Sequence, residues 1–213
     1  MRNRYLQNGI DGFAPHEVLE MLLFYVKPRA DTNGIAHALL NTFGSFSGVL
    51  DANIENLQQV SGIGKESAVF FHLVKDCMKL YSKSKWAAKP LLSNSAEVGT
   101  YAVDMIGDQT EEGFYLICLD PSNYVNSFCK VESGSAYRAN VDVRKVVERA
   151  LLYRAHHIVL VHNHPAGAVS PSENDIALTK KLVKTFGEMD IPVIDHIIVG
   201  KGHFYSMAER GML

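Results

Sequence analysis

The sequence predicts two parts of different character: a small all-α domain over residues 1–85 and an α/β (α+β) domain over residues 91–213. Three observations carry this. Apolar residues recur at helical spacing through the first eighty-odd residues. A polar stretch follows, Ser82-Lys83-Ser84-Lys85 and then Ala87 to Pro90, the composition of a domain boundary. Beyond it, short apolar runs bounded by turn residues alternate with amphipathic helical patterns.

In the first part, Val18, Leu19, Leu22, Leu23 and Val26 define a helix starting near Pro15 and ended by Pro28. Ile35, Ala36, Leu39, Leu40 and Phe43 define the next, stopped by Gly44, and a short helix through Val49 follows. Ile54 to Val60 is then helical, and a long helix runs from about Lys65 to Tyr81, with Ala68, Val69, His72, Leu73 and Met78 as its apolar face. In the second part, Asn94 and Glu97 are spaced as a capping pair for a helix through Ile106. Phe114 to Leu119 is a strand, turned at Pro121-Ser122-Asn123 into a second from Val125 to Val131. A helix over Val143 to Ala155, a buried strand over His157 to Val161, a helix over Ile176 to Met189 and a strand over Pro192 to Val199 follow. Gly200-Lys201-Gly202 turns into a last short strand, His203 to Ser206.

Composition narrows the function classes. Hydrophobic residues are 47% and charged residues 21% of the chain, as in an ordinary globular protein. The longest apolar run, Val18 to Val26, is broken by Glu20 and is too short to cross a bilayer. No charged segment followed by an apolar core opens the chain, so the expected location is cytoplasmic. Cys77, Cys118 and Cys129 are far apart, odd in number and without CxxC spacing, so they point to neither a disulfide framework nor a cysteine-based zinc site but to reduced thiols. Residues 1–85 carry nine basic and eight acidic side chains, and residues 86–213 twelve and fifteen. Neither half has the basic excess of a protein that grips nucleic acid by charge alone.

Six of the nine histidines fall between His156 and His203, and two of them end an apolar strand: His157-Ile158-Val159-Leu160-Val161-His162-Asn163-His164-Pro165. Side chains two apart on extended backbone share a side, so His162 and His164 can reach one ion. A loop through Ala166 and Gly167 leads to Ser172-Glu173-Asn174-Asp175, which opens a helix and can fold Asp175 back to the strand end. Ser172 and Asp175 also read as an N-cap and its partner acid, and that geometry would orient them. Two histidines and a carboxylate form a three-ligand zinc set, with a further position left for water. Such an ion brings the pKa of its water toward about 7. Other divalent ions suit the same donors.

The pattern His162-x-His164-x7-Ser172-x2-Asp175 resembles the signature of the JAMM (MPN-plus) zinc metalloprotease superfamily. The longer runs His162 to Gly167, Pro171-Ser172, Asp195 to Gly200 and Ala208 to Gly211 are similar to the bacterial RadC family, a likeness that extends into the helical first half. Where that family often has Ser after His-Asn-His-Pro, this chain has Ala166. The resemblance implies a JAMM-type fold for residues 91–213, zinc on His162, His164 and Asp175, Ser172 as helper to a tetrahedral oxyanion, and an upstream Glu as general acid/base. Glu112, ahead of the strand from Phe114, best matches that Glu, with Glu111 and Glu132 as alternatives. Asp195-His196 allows either a role behind the metal ligands or a purely structural one. His156, His157 and His203 are read as structural, and Asp142 as a helix cap.

One further motif stands apart. Val60-Ser61-Gly62-Ile63-Gly64-Lys65 resembles the hairpin of helix–hairpin–helix proteins, which bind DNA without sequence preference. Glycines permit close backbone approach, amides at the next helix start suit a phosphate, and Lys65 adds a charge. A tight helix–helix turn would need the same glycines. The reading that joins these features is a cytoplasmic zinc-dependent metallopeptidase or isopeptidase of RadC type, acting on a peptide or isopeptide substrate. Two alternatives differ in class: a non-enzymatic, DNA-associated, repair-linked protein with a structural zinc, and a metal-dependent nuclease.

Overall fold

A computed structural model describes residues 1–213 except Arg29, Ala87 and 134–140. The chain divides into two compact units, Met1–Tyr81 and Ser82–Leu213. No helix of the described residues is long and apolar enough to cross a membrane.

The first unit holds α1 (Arg2–Asn8), α2 (Pro15–Val26), α3 (Asn33–Phe43), α4 (Phe46–Asp51), α5 (Ile54–Gln58) and most of α6 (Lys65–Ser84). Local chemistry sets the boundaries. Pro15 opens α2, where its missing N–H costs nothing. Gly44 ends α3 in the left-handed region at φ 77°. Ser45 and Asn53 cap α4 and α5 through Gly48 N–H and Asn56 N–H. Leu19, Leu23, Ala36, Leu39, Val49, Leu57 and Phe71 are sealed in one core, each large side chain stabilising by about 1.5–3 kcal/mol. On α6 the structure departs from the expected face. Ser67, Ala68 and Phe71 are buried, whereas Val69, Leu73 and Met78 are 45%, 55% and 55% exposed. Helical spacing reveals an apolar stripe but not which of two neighbouring rows meets the core.

The second unit holds α7 (Ser95–Ile106), β1 (Gly113–Leu119), β2 (Val125–Ser133), α8 (Val143–Leu152), β3 (His157–Asn163), α9 (Glu173–Gly187), β4 (Val193–Val199) and β5 (Phe204–Ser206). The sheet order is β2-β1-β3-β4-β5. β3 and β4 are parallel, joined through α9, and the other pairings are antiparallel. The central strands are buried on both faces, which explains their nearly continuous apolar sequence. Tyr115, Ile117, Val159, Val161, Ile197 and Val199 pack beneath Val98, Tyr101, Ala102 and Ile106 of α7. On the other face Phe114, Leu116, Ile158 and Leu160 meet Val146 and Ala150 of α8 and Leu182 and Phe186 of α9. His162 continues the row of Ile158 and Leu160, so it emerges on the α9 side of the sheet.

Candidate metal centre

His162 is the last but one residue of β3 and is wholly buried; His164 lies just past the strand end and is partly exposed. The ladder continues beyond the strand, since His164 N–H donates to Val199 O at 2.8 Å. The two rings are 4.8 Å apart by centroid, and their Nε2 atoms 3.0 Å apart. Gly167, at φ 97°, turns the following loop back.

Asp175 comes from the first turn of α9 and is 3% exposed. Ser172 caps that helix by accepting from Asp175 N–H at 3.2 Å, and its own N–H and hydroxyl both donate to Asp175 Oδ2 at 2.7 Å. With Oδ2 so occupied, Oδ1 lies 3.3 Å from His162 Nε2. Ligand atoms of His162, His164 and Asp175 all fall within 4.8 Å of one another.

Hydrogen bonds behind the rings decide which nitrogens carry protons. Thr179 Oγ1 donates to the Asp175 carbonyl at 2.6 Å, so toward His196 Nδ1, 2.5 Å away, it must accept. His196 is wholly buried, and burial pushes its pKa well below the usual histidine value, with His162 adding to the fall. A neutral His196 that donates through Nδ1 accepts through Nε2, and the donor 2.9 Å away is His162 Nδ1–H. Burial also lowers the His162 pKa against the opposing pull of Asp175. Neutral His162 therefore turns an Nε2 lone pair to the centre. His164 Nδ1 lies 2.6 Å from the Ala168 carbonyl, which can only accept, so a neutral His164 also presents a bare Nε2. Two imidazole lone pairs and an anionic oxygen converge at distances where they would repel one another, an arrangement a divalent cation would relieve. The donors fit a tetrahedral transition-metal site with one position left over.

Of the candidate carboxylates, Glu112 lies two residues before Phe114, which pairs with His162 at the end of the β1–β3 ladder. Glu112 is half-buried, and its charge reaches His162, favouring the protonated ring. Glu111 is exposed. Glu132 lies in the same row as Phe114 and His162 with Phe114 between, and its carboxylate holds Lys145 Nζ at 2.5 Å.

Two supporting residues had no reading in the sequence. Thr179 lies one turn after Asp175, so it shares its face of α9; that spacing is the available signal. Asn163, between the histidines, accepts from Gly113 N–H at 2.9 Å and donates to the Glu111 carbonyl at 3.0 Å, tethering the backbone on both sides of Glu112. His196 takes the role behind the ligands, and Asp195 does not: its carboxylate accepts from Ser206 Oγ and Ala208 N–H, tying β4 to the carboxy-terminal turn. Asp142 caps α8 through Arg144 N–H at 2.9 Å.

In the helical unit, Gly62 has φ 90°, and a Cβ there would lie 2.7 Å from Ile35 Cδ1. Lys27 Nζ donates to the Gly62 carbonyl. Gly64 faces open space, and exposed Lys65 opens α6.

Residues 92–212 match the family model described as the RadC-like JAB domain. A UPF0758 protein of Fusobacterium nucleatum subsp. nucleatum is 35% identical across the whole chain and 95% of its own length. A UPF0758 protein of Rhodobacter capsulatus is 32% identical over the full length of both.

Proposed function

The chain belongs to the RadC family, and from that premise we propose that it is a zinc-dependent hydrolase of amide bonds, acting on a peptide or isopeptide. One observation carries the reading: the hydrogen bonds from His162 to His196 to Thr179, and from His164 to the Ala168 carbonyl, leave both Nε2 lone pairs facing the Asp175 carboxylate. When bound there, zinc supplies a Lewis acid that polarises a carbonyl and acidifies water. Glu112 receives the proton of the attacking water and returns it to the departing amine nitrogen. Ser172 Oγ donates to the carbonyl oxygen as charge develops on it, giving up its bond to Asp175 Oδ2. The partial exposure of His164 provides the open side from which a substrate carbonyl approaches.

Cleavage of a fluorogenic peptide and a lysine-linked isopeptide reporter tests this. Wild type is expected to cleave one of them, and Glu112→Gln to lose about 10²–10⁴-fold in rate while keeping its metal. Cleavage unchanged in Glu112→Gln would remove this residue as the base, and no cleavage of either reporter by zinc-loaded wild type would count against the peptidase reading.

A second reading has its own observation. The open space at Gly64 and the exposed Lys65 leave backbone and charge accessible at the Gly62–Gly64 hairpin, which supports a DNA phosphate contact there. Salt-dependent binding of duplex DNA that is lost in Gly64→Val with Lys65→Ala is the expected result; binding that those changes leave intact rules out the hairpin.

A further inference from the structure

The first two strands of the sheet bring two thiols together. Cys118 of β1 pairs with Ser127 of β2, and Leu116 pairs with Cys129, so the cysteines are diagonal neighbours across one antiparallel ladder. Both side chains leave the sheet on its α8 side, Cys118 within the core and Cys129 packed at its margin. Cys118 is wholly buried, and Cys129 is half-buried. Arg149, exposed in the last turn of α8, bears on Cys129 from above. Contact with Cys118 holds the Cys129 thiol below its usual pKa against the effect of burial, and Arg149 and Ser127 add to the fall. Contact with Cys129, and then burial, pushes the Cys118 thiol up. A partly exposed thiol beside a cation, with a second thiol behind it, is the arrangement of a cysteine that reacts rather than one that only packs.

We propose that Cys129 and Cys118 form a site of reversible oxidation by hydrogen peroxide, Cys129 reacting first and Cys118 closing a disulfide behind it. The Cys129 sulfur attacks one peroxide oxygen, the O–O bond breaks, and the departing oxygen takes up the thiol proton and leaves as water. Cys129 is then a sulfenic acid. The Cys118 sulfur attacks it and gives up its own proton, the S–O bond breaks, and the hydroxide leaves as a second water. Two thiols have lost two electrons, and the peroxide has gained them. A dithiol reductant reverses the step by exchange. Closing the S–S bond to about 2.05 Å needs a local adjustment of the ladder. The register is already shifted between Cys118 and Leu119, and β2 is an edge strand, paired along one side within the sheet. The bond closes the loop 119–128 and so raises the temperature at which the oxidised protein unfolds.

The test uses the full-length chain carrying Cys77→Ser, which removes the exposed thiol of the helical unit. It is treated with equimolar hydrogen peroxide, its thiols are counted after unfolding, and a non-reduced digest is weighed by mass spectrometry. Both remaining thiols are expected to be lost together, with the Cys118 and Cys129 peptides joined and no oxygen added, and dithiothreitol restores both. With Cys118→Ala the reaction stops at a sulfenic acid on Cys129, which dimedone labels; with Cys129→Ala the Cys118 thiol survives the same treatment. Arg149→Gln, an exposed change, slows the loss and leaves the product the same. Thiols that both persist in the folded protein overturn the proposal. So does sulfinic acid on Cys129 with Cys118 still free, or a link formed between two chains instead of within one. None of these residues is a donor at the candidate metal centre, so the result stands apart from the hydrolase reading.

Discussion

His196 Nε2 lies 2.9 Å from His162 Nδ1, in a place where neither ring meets solvent. The contact fixes which nitrogen of His162 is protonated, and it does so from β4, the strand parallel to the one that carries His162. The candidate metal centre is thus set from behind by a third histidine, itself set by Thr179.

Removing that support weakens the metal without touching a ligand. His196→Leu leaves the buried His162 N–H without its acceptor, a loss of about 1–3 kcal/mol, and lowers zinc affinity by about 10–100-fold. Thr179→Val frees His196 to change tautomer and has a smaller effect in the same direction. Competition with a zinc chelator measures both.

Asn163 holds the backbone of Glu112, the proposed base, rather than a metal ligand. Its amide holds the Gly113 N–H and the Glu111 carbonyl, so Asn163→Ala loosens the backbone of Glu112. Zinc content is expected to stay at the wild-type value while cleavage of an amide reporter falls. Parallel metal analysis and kinetics distinguish this from a defect in metal binding.

Gly200 packs under the loop that orients His164. A Cβ at this position would lie 2.6 Å from Gly167 O and 2.7 Å from Val169 Cγ1. The carbonyl belongs to the backbone and cannot swing aside, so Gly200→Ala displaces the loop that carries the Ala168 acceptor. The expected cost is about 1–3 kcal/mol of stability, read by denaturant unfolding, together with weaker zinc binding.

The helical unit has its own pH dependence. Arg4 lies 2.7 Å from Glu17 Oε2, and the bonds from Arg4 and from Ala14 N–H bring the Glu17 pKa down to about 2 from 4.5. The folded value is below the unfolded one, so the contribution is complete above about pH 4.5 and is lost as pH falls through about 2. Glu17→Gln is therefore less stable than wild type at neutral pH, by a small margin because the pair is exposed. The two proteins converge at strongly acid pH, as acid titration of the unfolding midpoint would reveal.

The grouping of His162, His164 and Asp175 was legible in the sequence because chemistry and periodicity coincide there: an apolar strand ending in His-x-His, then a capped helix opening on Asp175. Glu112 was read in the sequence as the best match of three carboxylates because it precedes the strand from Phe114; that its charge bears on His162 follows from the pairing of that strand with β3, which the sequence alone does not reveal. His196 and Thr179 lie 34 and 17 residues from the partners they fix, and contacts across a sheet leave no periodic trace. The buried row of α6 was misread because its exposed apolar residues follow the same helical spacing as its buried ones.

The central claim is that His162, His164 and Asp175 hold zinc, and a calorimetric zinc titration of the full chain tests it most directly. One equivalent bound tightly, and lost on adding either His164→Ala or Asp175→Ala, is the predicted result. No zinc bound, or binding indifferent to both substitutions, would contradict it.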